Sequence, residues 1–113
     1  MDKKLIPKNH FHFIGVGGIG MSAVAMGLIK KGYSISGSDV VKNNETNKLE
    51  KLGAIIFNSQ IGQNIELITS KFDNNLINFV VSTAIKPDNE ELMYCREKNL
   101  PVKHRSEILS LLM

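Results

Sequence analysis

The chain has 113 residues, of which 42% are hydrophobic and 22% charged, and this suits one globular domain with a real core. Its net charge of +3 mildly favours an anionic ligand, but lysines and glutamates are interspersed, so we expect no nucleic-acid partner. The single cysteine, Cys95, excludes an internal disulfide. No apolar run approaches the ~18 residues of a membrane span and no signal region opens the chain, so we expect a cytoplasmic protein without membrane contact.

Strand-like and helix-like segments alternate along the sequence. After a loose lead-in over residues 1–9, the apolar pattern predicts five strands, at about 11–15, 33–38, 54–57, 77–81 and 101–103. It predicts five helices, at about 19–31, 44–52, 64–70, 89–98 and 106–113. Such alternation builds right-handed βαβ units, so the predicted fold is α/β: a Rossmann-like three-layer αβα domain over residues 10–113, with a parallel sheet of about five strands.

The faces of two predicted helices can be assigned from their periodicity. Gly20, Val24 and Leu28 share one face of the first helix, which should lie on the sheet with Gly20 allowing close approach. In the second helix, Leu49 and Leu52 are expected to face inward. The opposite side of the first helix carries three more apolar residues, Ile19, Met26 and Ile29. Either neighbouring elements partly cover that side, or another domain or subunit contacts it.

A glycine-rich turn joins the first predicted strand to the first helix. Gly15, Gly17 and Gly20 match G-x-G-x-x-G, and Asp39 follows nineteen residues after the last of them, at the end of the second strand. Glycines allow the backbone to approach a diphosphate, and a helix N-terminus offers unpaired N–H groups with a partial positive charge. The pattern predicts a nucleotide site in which Asp39 accepts hydrogen bonds from a ribose; a capping aspartate is the alternative.

Further candidate ligand residues follow the later strands. Ser82 and Thr83 end the fourth strand, and His104 and Arg105 follow the fifth, at the edge where open α/β sheets bind ligands. The two hydroxyls are suited to a phosphate or sugar, and the planar guanidinium of Arg105 fits an anion. Local helix capping is the alternative for each pair of residues.

Other chemistry is limited. His10 and His12 share one face of the first strand, and we expect them to be packed or hydrogen-bonded, because nothing nearby completes a metal site. Cys95 is expected to be a small packed side chain. The sequence contains neither G-x-x-x-x-G-K-[ST] nor G-x-S-x-G, so we expect no ATP P-loop and no catalytic residues in this chain.

Several motifs occur together. The run HFIGVGGIGMS over 12–22 is followed by GSD at 37–39, LEKLGA at 49–54, VSTAI at 81–85 and HR at 104–105. This combination resembles the UDP-N-acetylmuramate–L-alanine ligases of the Mur ligase family, and it covers nearly the whole chain from about residue 10. The related ligase that recycles murein tripeptide has a different glycine loop. This chain departs mildly from the L-alanine ligases at two positions. Glu90 stands where those ligases usually have proline, and Thr83 stands where serine is common.

The resemblance implies an N-terminal, UDP-sugar-binding domain of a three-domain enzyme, inactive without its other domains. The parent enzyme would use ATP and Mg²⁺ in those domains to activate the muramyl carboxylate of UDP-N-acetylmuramic acid and couple it to L-alanine, in peptidoglycan biosynthesis. This fragment would hold no cofactor of its own. The residues implied to contact the UDP-sugar are Gly15, Val16, Gly17, Gly18, Ile19, Gly20, Met21, Ser22, Ser38, Asp39, Ser82, Thr83, Ala84, Asn89, His104 and Arg105.

A second function stays open. The glycine motif and Asp39 also suit a free-standing NAD-binding domain, either a regulatory module or half of an oxidoreductase. A dehydrogenase would need catalytic residues beyond this first half, and none are evident in the sequence. The residues around Gly18–Ser22 and the closing His104–Arg105 pair favour the ligase.

Overall fold

The computed structural model describes residues 9–112, in which five strands alternate with five α-helices. The strands are β1 (His10–Ile14), β2 (Ser34–Ser38), β3 (Ile55–Phe57), β4 (Ile77–Val81) and β5 (Val102–His104). The helices are α1 (Ile19–Lys30), α2 (Asn44–Lys51), α3 (Gly62–Lys71), α4 (Glu90–Glu97) and α5 (Arg105–Ile108). Short 3₁₀ turns at Asn74–Leu76 and Leu109–Leu112 precede β4 and continue α5. Of the predicted lead-in, residues 1–8 lie outside the described part.

The strands form one parallel sheet in the order β3-β2-β1-β4-β5. The chain builds outward from β1 in one direction through β3 and then crosses back to place β4 on the other side. At such a reversal the loops leaving the two central strands diverge, and their carboxyl ends frame a crevice. The predicted α/β fold with a five-stranded parallel sheet is therefore confirmed, and the crevice lies between β1 and β4.

Most predicted boundaries agree with the structure to within two residues. The strand predicted over 101–103 is displaced to Val102–His104, because Pro101 has no N–H to contribute to the ladder. The last helix is α-helical only as far as Ile108, and Met113 lies outside the described residues. None of the helices within 9–112 combines the length and the apolar character needed to span a membrane.

Both faces of the central strand β1 are buried, as a parallel sheet covered by helices requires. Phe11 and Phe13 pack into the larger core with side chains of α1 and α2. On the other face, His10 and His12 lie among the aromatic and aliphatic side chains near α3 and α4, where His10 stacks on Phe72 with 3.8 Å between ring centres. Both histidines are hydrogen-bonded, which confirms their predicted role.

Two predicted side-chain orientations are wrong. Leu52, the C-cap of α2, is 49% exposed although its N–H still donates to the Lys48 carbonyl at 3.2 Å, because it lies about 60° around the helix from the buried Leu49. Gly20 was expected to let α1 lie close to the sheet, but it does not face the sheet. A Cβ at this position would lie 2.9 Å from Nη1 of Arg105. Glycine at this position makes room for an arginine side chain that follows β5.

The second apolar side of α1 is partly covered by a neighbouring element. Met26 and Ile29 are half-buried and pack against the larger core, as does Leu112 from the C-terminal 3₁₀ turn. Gly27 faces the same leucine, with 3.0 Å between Leu112 Cδ2 and the place of a Cβ. Only Ile19 projects freely, with 83% of its surface exposed. A domain or subunit contact through Ile19, Met26 and Ile29 stays a prediction.

Candidate functional site

A cleft of about 400 Å³ opens at the carboxyl edge of the sheet, between the loops that follow β1 and β4. Its size falls in the range of small-molecule sites. The glycine loop, the end of β2, the loop after β4 and the start of α5 all contribute to it. The lining residues are Gly15, Gly18, Gly20, Met21, Asp39, Ser82, Thr83, Ala84, Ile85 and Arg105.

The first half of the glycine loop is tied to β2. Gly15 turns the chain with φ +84°, a left-handed conformation that favours glycine. The N–H groups of Gly15 and Val16 both donate to the Ser38 carbonyl, at 2.8 and 2.9 Å. A Cβ on Gly15 would lie 2.6 Å from Cδ1 of Ile85, so the absence of a side chain also lets the β4–α4 loop approach.

Asp39 continues this attachment through its carboxylate. Oδ2 accepts from the Gly17 N–H at 2.8 Å and Oδ1 from the Val41 N–H at 3.1 Å. On the other side of the peptide, Nδ2 of Asn43 donates to the Gly17 carbonyl at 3.1 Å. Each carboxylate oxygen can still accept a second hydrogen bond. Asp39 therefore fixes the loop and keeps the capacity to accept from a hydroxyl in the cleft.

The second half of the loop leaves its backbone donors free. Gly18 is the N-cap of α1 in an extended conformation and provides no side-chain cap, and the first turn carries no acidic residue. The first backbone bond of the helix runs from the Ser22 N–H to the Gly18 carbonyl at 2.8 Å. Within residues 9–112, the four N–H groups from Gly18 to Met21 have no hydrogen-bond partner. They form a donor group at the positive end of the helix dipole.

Arg105 lies against this helix N-terminus. Its guanidinium contacts Gly20, and in the described part of the chain it has no carboxylate within 4.0 Å and no hydrogen bond. A cation beside the positive end of a helix is unfavourable without a counterion. The two positive groups together favour an anion between them, and a phosphate satisfies both the N–H donors and the planar fork of arginine.

The loop after β4 forms the opposite wall. Ser82, Thr83 and Ala84 line the cleft, and Thr83 and Ala84 are exposed to it. The Ser82 hydroxyl accepts from the Ala84 N–H at 3.3 Å, so its local turn role and its place in the cleft coexist. These three predicted residues are brought together with the glycine loop.

Other predicted residues lie outside the cleft lining. Val16 is completely buried in the core, and Ser22 is buried with its hydroxyl donating to the Ile19 carbonyl at 3.0 Å. Ile19 itself projects away on the exposed side of the loop, and Gly17 is buried beneath it. The hydroxyl of Ser38 is buried without a hydrogen-bond partner among the described residues. The buried residues Val16, Gly17, Ser22 and Ser38 thus support the loop from the protein interior.

Asn89 and His104 act as helix caps in this structure. Oδ1 of Asn89 accepts from the first turn of α4, and its Nδ2 donates to Oε1 of Gln60 at 3.1 Å. Nδ1 of His104 accepts from the Ser106 N–H at 3.2 Å. Oε2 of Glu107 accepts from the His104 N–H at 2.7 Å, and the two bonds form a capping box. Local capping, the alternative considered for His104, is thus observed.

Three residues of the site were not identified from the sequence. Ile85 lines the cleft, and it directly follows the predicted Ser82–Ala84 run. Asn43 holds Gly17 and also caps α2 in a capping box with Thr46, a pattern that N-x-x-T before a helix reveals. Gln60 carries no such signal, because its contact with Asn89 depends on the meeting of two distant loops.

The fold and the cleft define a Rossmann-like α/β domain of the kind that binds nucleotides at a glycine turn. The family described as "Mur ligase family, catalytic domain" matches residues 10–113, and the chain belongs to the Mur ligase family.

Individual relatives agree with this family. Over all 113 residues the chain is 62% identical to a UDP-N-acetylmuramate–L-alanine ligase of Prochlorococcus marinus subsp. pastoris, of which it covers 24%. It resembles the structure of the UDP-N-acetylmuramate-alanine ligase of Thermotoga maritima with a TM-score of 0.74 and 31% identity, over 88% of this chain and 21% of that one. The UDP-N-acetylmuramate:L-alanyl-γ-D-glutamyl-meso-diaminopimelate ligase of Neisseria meningitidis shares the fold, with a TM-score of 0.81 at 23% identity, over 93% of this chain and 31% of that one. The chain spans about a quarter of the length of the curated relative it matches at 62% identity.

Proposed function

We propose that this chain is the nucleotide-holding domain of a UDP-N-acetylmuramate–L-alanine ligase and binds the uridine diphosphate part of UDP-N-acetylmuramic acid. The observation that carries the proposal is the group of N–H donors at Gly18–Met21 beside Arg105, which have no hydrogen-bond partner in the described part of the chain. Family membership and the names of the relatives support the choice of nucleotide.

Each wall of the cleft has a role in this proposal. The N–H groups of Gly18–Met21 donate to the oxygens of one phosphate, and Arg105 offsets part of the diphosphate charge. Asp39 accepts from the ribose hydroxyls through the lone pairs left free by Gly17 and Val41. Ser82 and Thr83 add hydroxyl contacts from the opposite wall.

The rest of the reaction belongs to the remaining length of the ligase. ATP and Mg²⁺, held there, would supply activation of the muramyl carboxylate before L-alanine is coupled. Within residues 9–112, no group of three or more His, Cys, Asp or Glu side chains is placed to hold a metal ion. The division of the enzyme into three domains, the inactivity of this chain alone and its cytoplasmic location stay predictions.

A calorimetric titration of this chain with UDP-N-acetylmuramic acid, UDP and NADH, side by side, tests the proposal. We expect both uridine ligands to bind and NADH not to bind. The affinity of this chain for UDP-N-acetylmuramic acid should be well below that of a full-length ligase, because contacts to the sugar and lactyl groups come partly from other domains. Binding of NADH alone would contradict the proposal and favour an NAD-binding domain on the same fold.

A further inference from the structure

A continuous chain of buried polar side chains crosses the face of the sheet that packs against α3 and α4. His10 Nε2 and His12 Nδ1 each lie 2.7 Å from the Ser36 hydroxyl. His12 Nε2 lies 2.6 Å from Oε1 of Glu91, and Nδ2 of Asn64 donates to its Oε2 at 3.1 Å. All five side chains are buried, and Asn64 is the most exposed of them at 6%.

The hydrogen atoms of this chain can be assigned in one continuous direction. With both histidines neutral, His10 Nε2 donates to Ser36, the Ser36 hydroxyl donates to His12 Nδ1, and His12 Nε2 donates to Glu91. Every side-chain polar atom of His10, Ser36, His12 and Glu91 then has a partner, and both carboxylate oxygens of Glu91 receive a donor. Such a fully paired network adds little net stability over an apolar core, but it allows only one arrangement of the elements it joins.

One end of the network anchors the wall formed by the β4–α4 loop. Glu91 lies in the first turn of α4, and its N–H donates to the Asn89 side chain at 3.0 Å. Asn89 in turn holds Gln60, which follows β3, at 3.1 Å. The carboxylate therefore fixes the point at which the loop over 82–89 enters its helix.

The network also reaches the strand that leads into the glycine wall. His12 lies on β1 three residues before Gly15, where the loop begins. Ile85 from the β4–α4 loop lies next to Gly15, with 2.6 Å between its Cδ1 and the place of a Gly15 Cβ, so the two walls meet there. Neither His12 nor Glu91 lines the cleft itself.

We propose that Glu91, acting through His12, is a positioning residue that sets the spacing of the two cleft walls and thereby the affinity for the nucleotide diphosphate. The proposal rests on the proposed function for the identity of the ligand. It assigns a binding role to two side chains that are remote from the ligand and 79 positions apart in the sequence.

Glu91→Gln tests this role with a minimal change of volume. The new amide presents a donor to either His12 or Asn64, both of which donate, so the anchor loosens. We expect roughly tenfold weaker binding of UDP, because small misplacements of recognition groups have effects of this order. The matched control is Cys95→Ala, which removes a buried atom from the same helix and should lower stability in urea while leaving the UDP affinity of the folded protein unchanged.

Amide hydrogen exchange without ligand supplies the second readout. Residues 15–21 and 82–85 should exchange faster in Glu91→Gln and at the wild-type rate in Cys95→Ala. A third variant, His12→Gln, removes the other partner of the pair. The double variant His12→Gln/Glu91→Gln should bind UDP about as weakly as Glu91→Gln or His12→Gln alone. Should Glu91→Gln fail to fold, Asn64→Ala, which removes one donor and keeps the carboxylate, is measured in its place.

Two failures can be told apart. A wild-type chain that does not bind UDP overturns the proposed function, while the exchange rates still decide whether Glu91 positions the loops. A folded Glu91→Gln protein with wild-type UDP affinity and wild-type exchange in both loops overturns the positioning role.

Discussion

The carboxylate of Asp39 and the backbone of Gly17 are joined by a hydrogen bond of 2.8 Å, and a Cβ on Gly17 would lie 2.7 Å from the same carboxylate oxygen. The second glycine of the motif is therefore required by the approach of an aspartate. The sequence motif suggested another reason, room for a diphosphate. Among residues 9–112, nothing lies within 4 Å of the place of a Cβ on the neighbouring Gly18, so the open side of the loop lies there.

We expect Gly17→Val to displace Asp39 and weaken UDP binding roughly 10- to 100-fold, since a charge-assisted hydrogen bond that holds the loop is lost. The fold should survive, with a stability loss of about 1–3 kcal/mol for the overpacked site. Gly18→Ala is the control for stability, and its free energy of unfolding should be within ~0.5 kcal/mol of the wild-type value. Calorimetry measures the UDP affinity, and urea unfolding measures the stability of each variant. Wild-type affinity in a folded Gly17→Val protein would contradict the prediction.

Arg105 should contribute to binding as a specific anion contact. Arg105→Ala is expected to weaken UDP binding by about tenfold or more, and Arg105→Lys by less, because lysine keeps the charge but loses the planar fork. Arg96→Ala, which removes the same charge from an exposed position of α4, should leave the affinity within about twofold. An equal loss in the two alanine variants would show that only net charge matters.

His10 should make stability depend on pH. Burial, with a smaller contribution from the neighbouring His12, lowers the pKa of His10 from its ordinary 6.5 to about 4. Between these values the unfolded chain binds more protons than the folded one, so the free energy of unfolding rises with pH across this window and levels off above it. A shift of this size corresponds to a contribution on the order of 3 kcal/mol.

Urea unfolding of the wild type and of His10→Asn between about pH 4 and 6.5 measures this effect. The variant should show a flatter dependence, because it lacks the titrating group. Parallel curves for the two proteins would refute the assignment to His10.

Cys95 should be unreactive in the folded protein. Its burial, reinforced by the Glu91 carboxylate, raises the pKa of the thiol to about 12, and the side chain has no exposed surface. At about pH 8 we expect no reaction with Ellman's reagent until guanidinium chloride unfolds the chain, when one thiol should react. Rapid modification under native conditions would show that α4 opens locally. Rapid modification in Glu91→Gln alone would show that the Glu91 carboxylate holds α4 in place.

Local features of the sequence were sufficient for the architecture and for the position of the cleft. Strands and helices reveal themselves through periodicity, and the glycine turn with Asp39 marks where a parallel sheet places its ligand edge. Capping is equally local, so the roles of Asn89 and His104 in starting α4 and α5 were open to sequence reasoning. Periodicity and capping depend on residues within a few positions of one another, and the motif that links the glycine turn to Asp39 spans only one βαβ unit.

Contacts between distant segments were decided only by the tertiary structure. Gly20 faces Arg105 because β5 follows β4 at the far side of the sheet, and no spacing in the sequence reports that meeting. The pairing of His12 with Glu91 likewise depends on how α4 packs back on β1. The sequence by itself determined the elements and the ligand edge, since these follow from local chemistry. Which side chains close the site, and which hold its walls apart, was determined by the packing of the helices on the sheet.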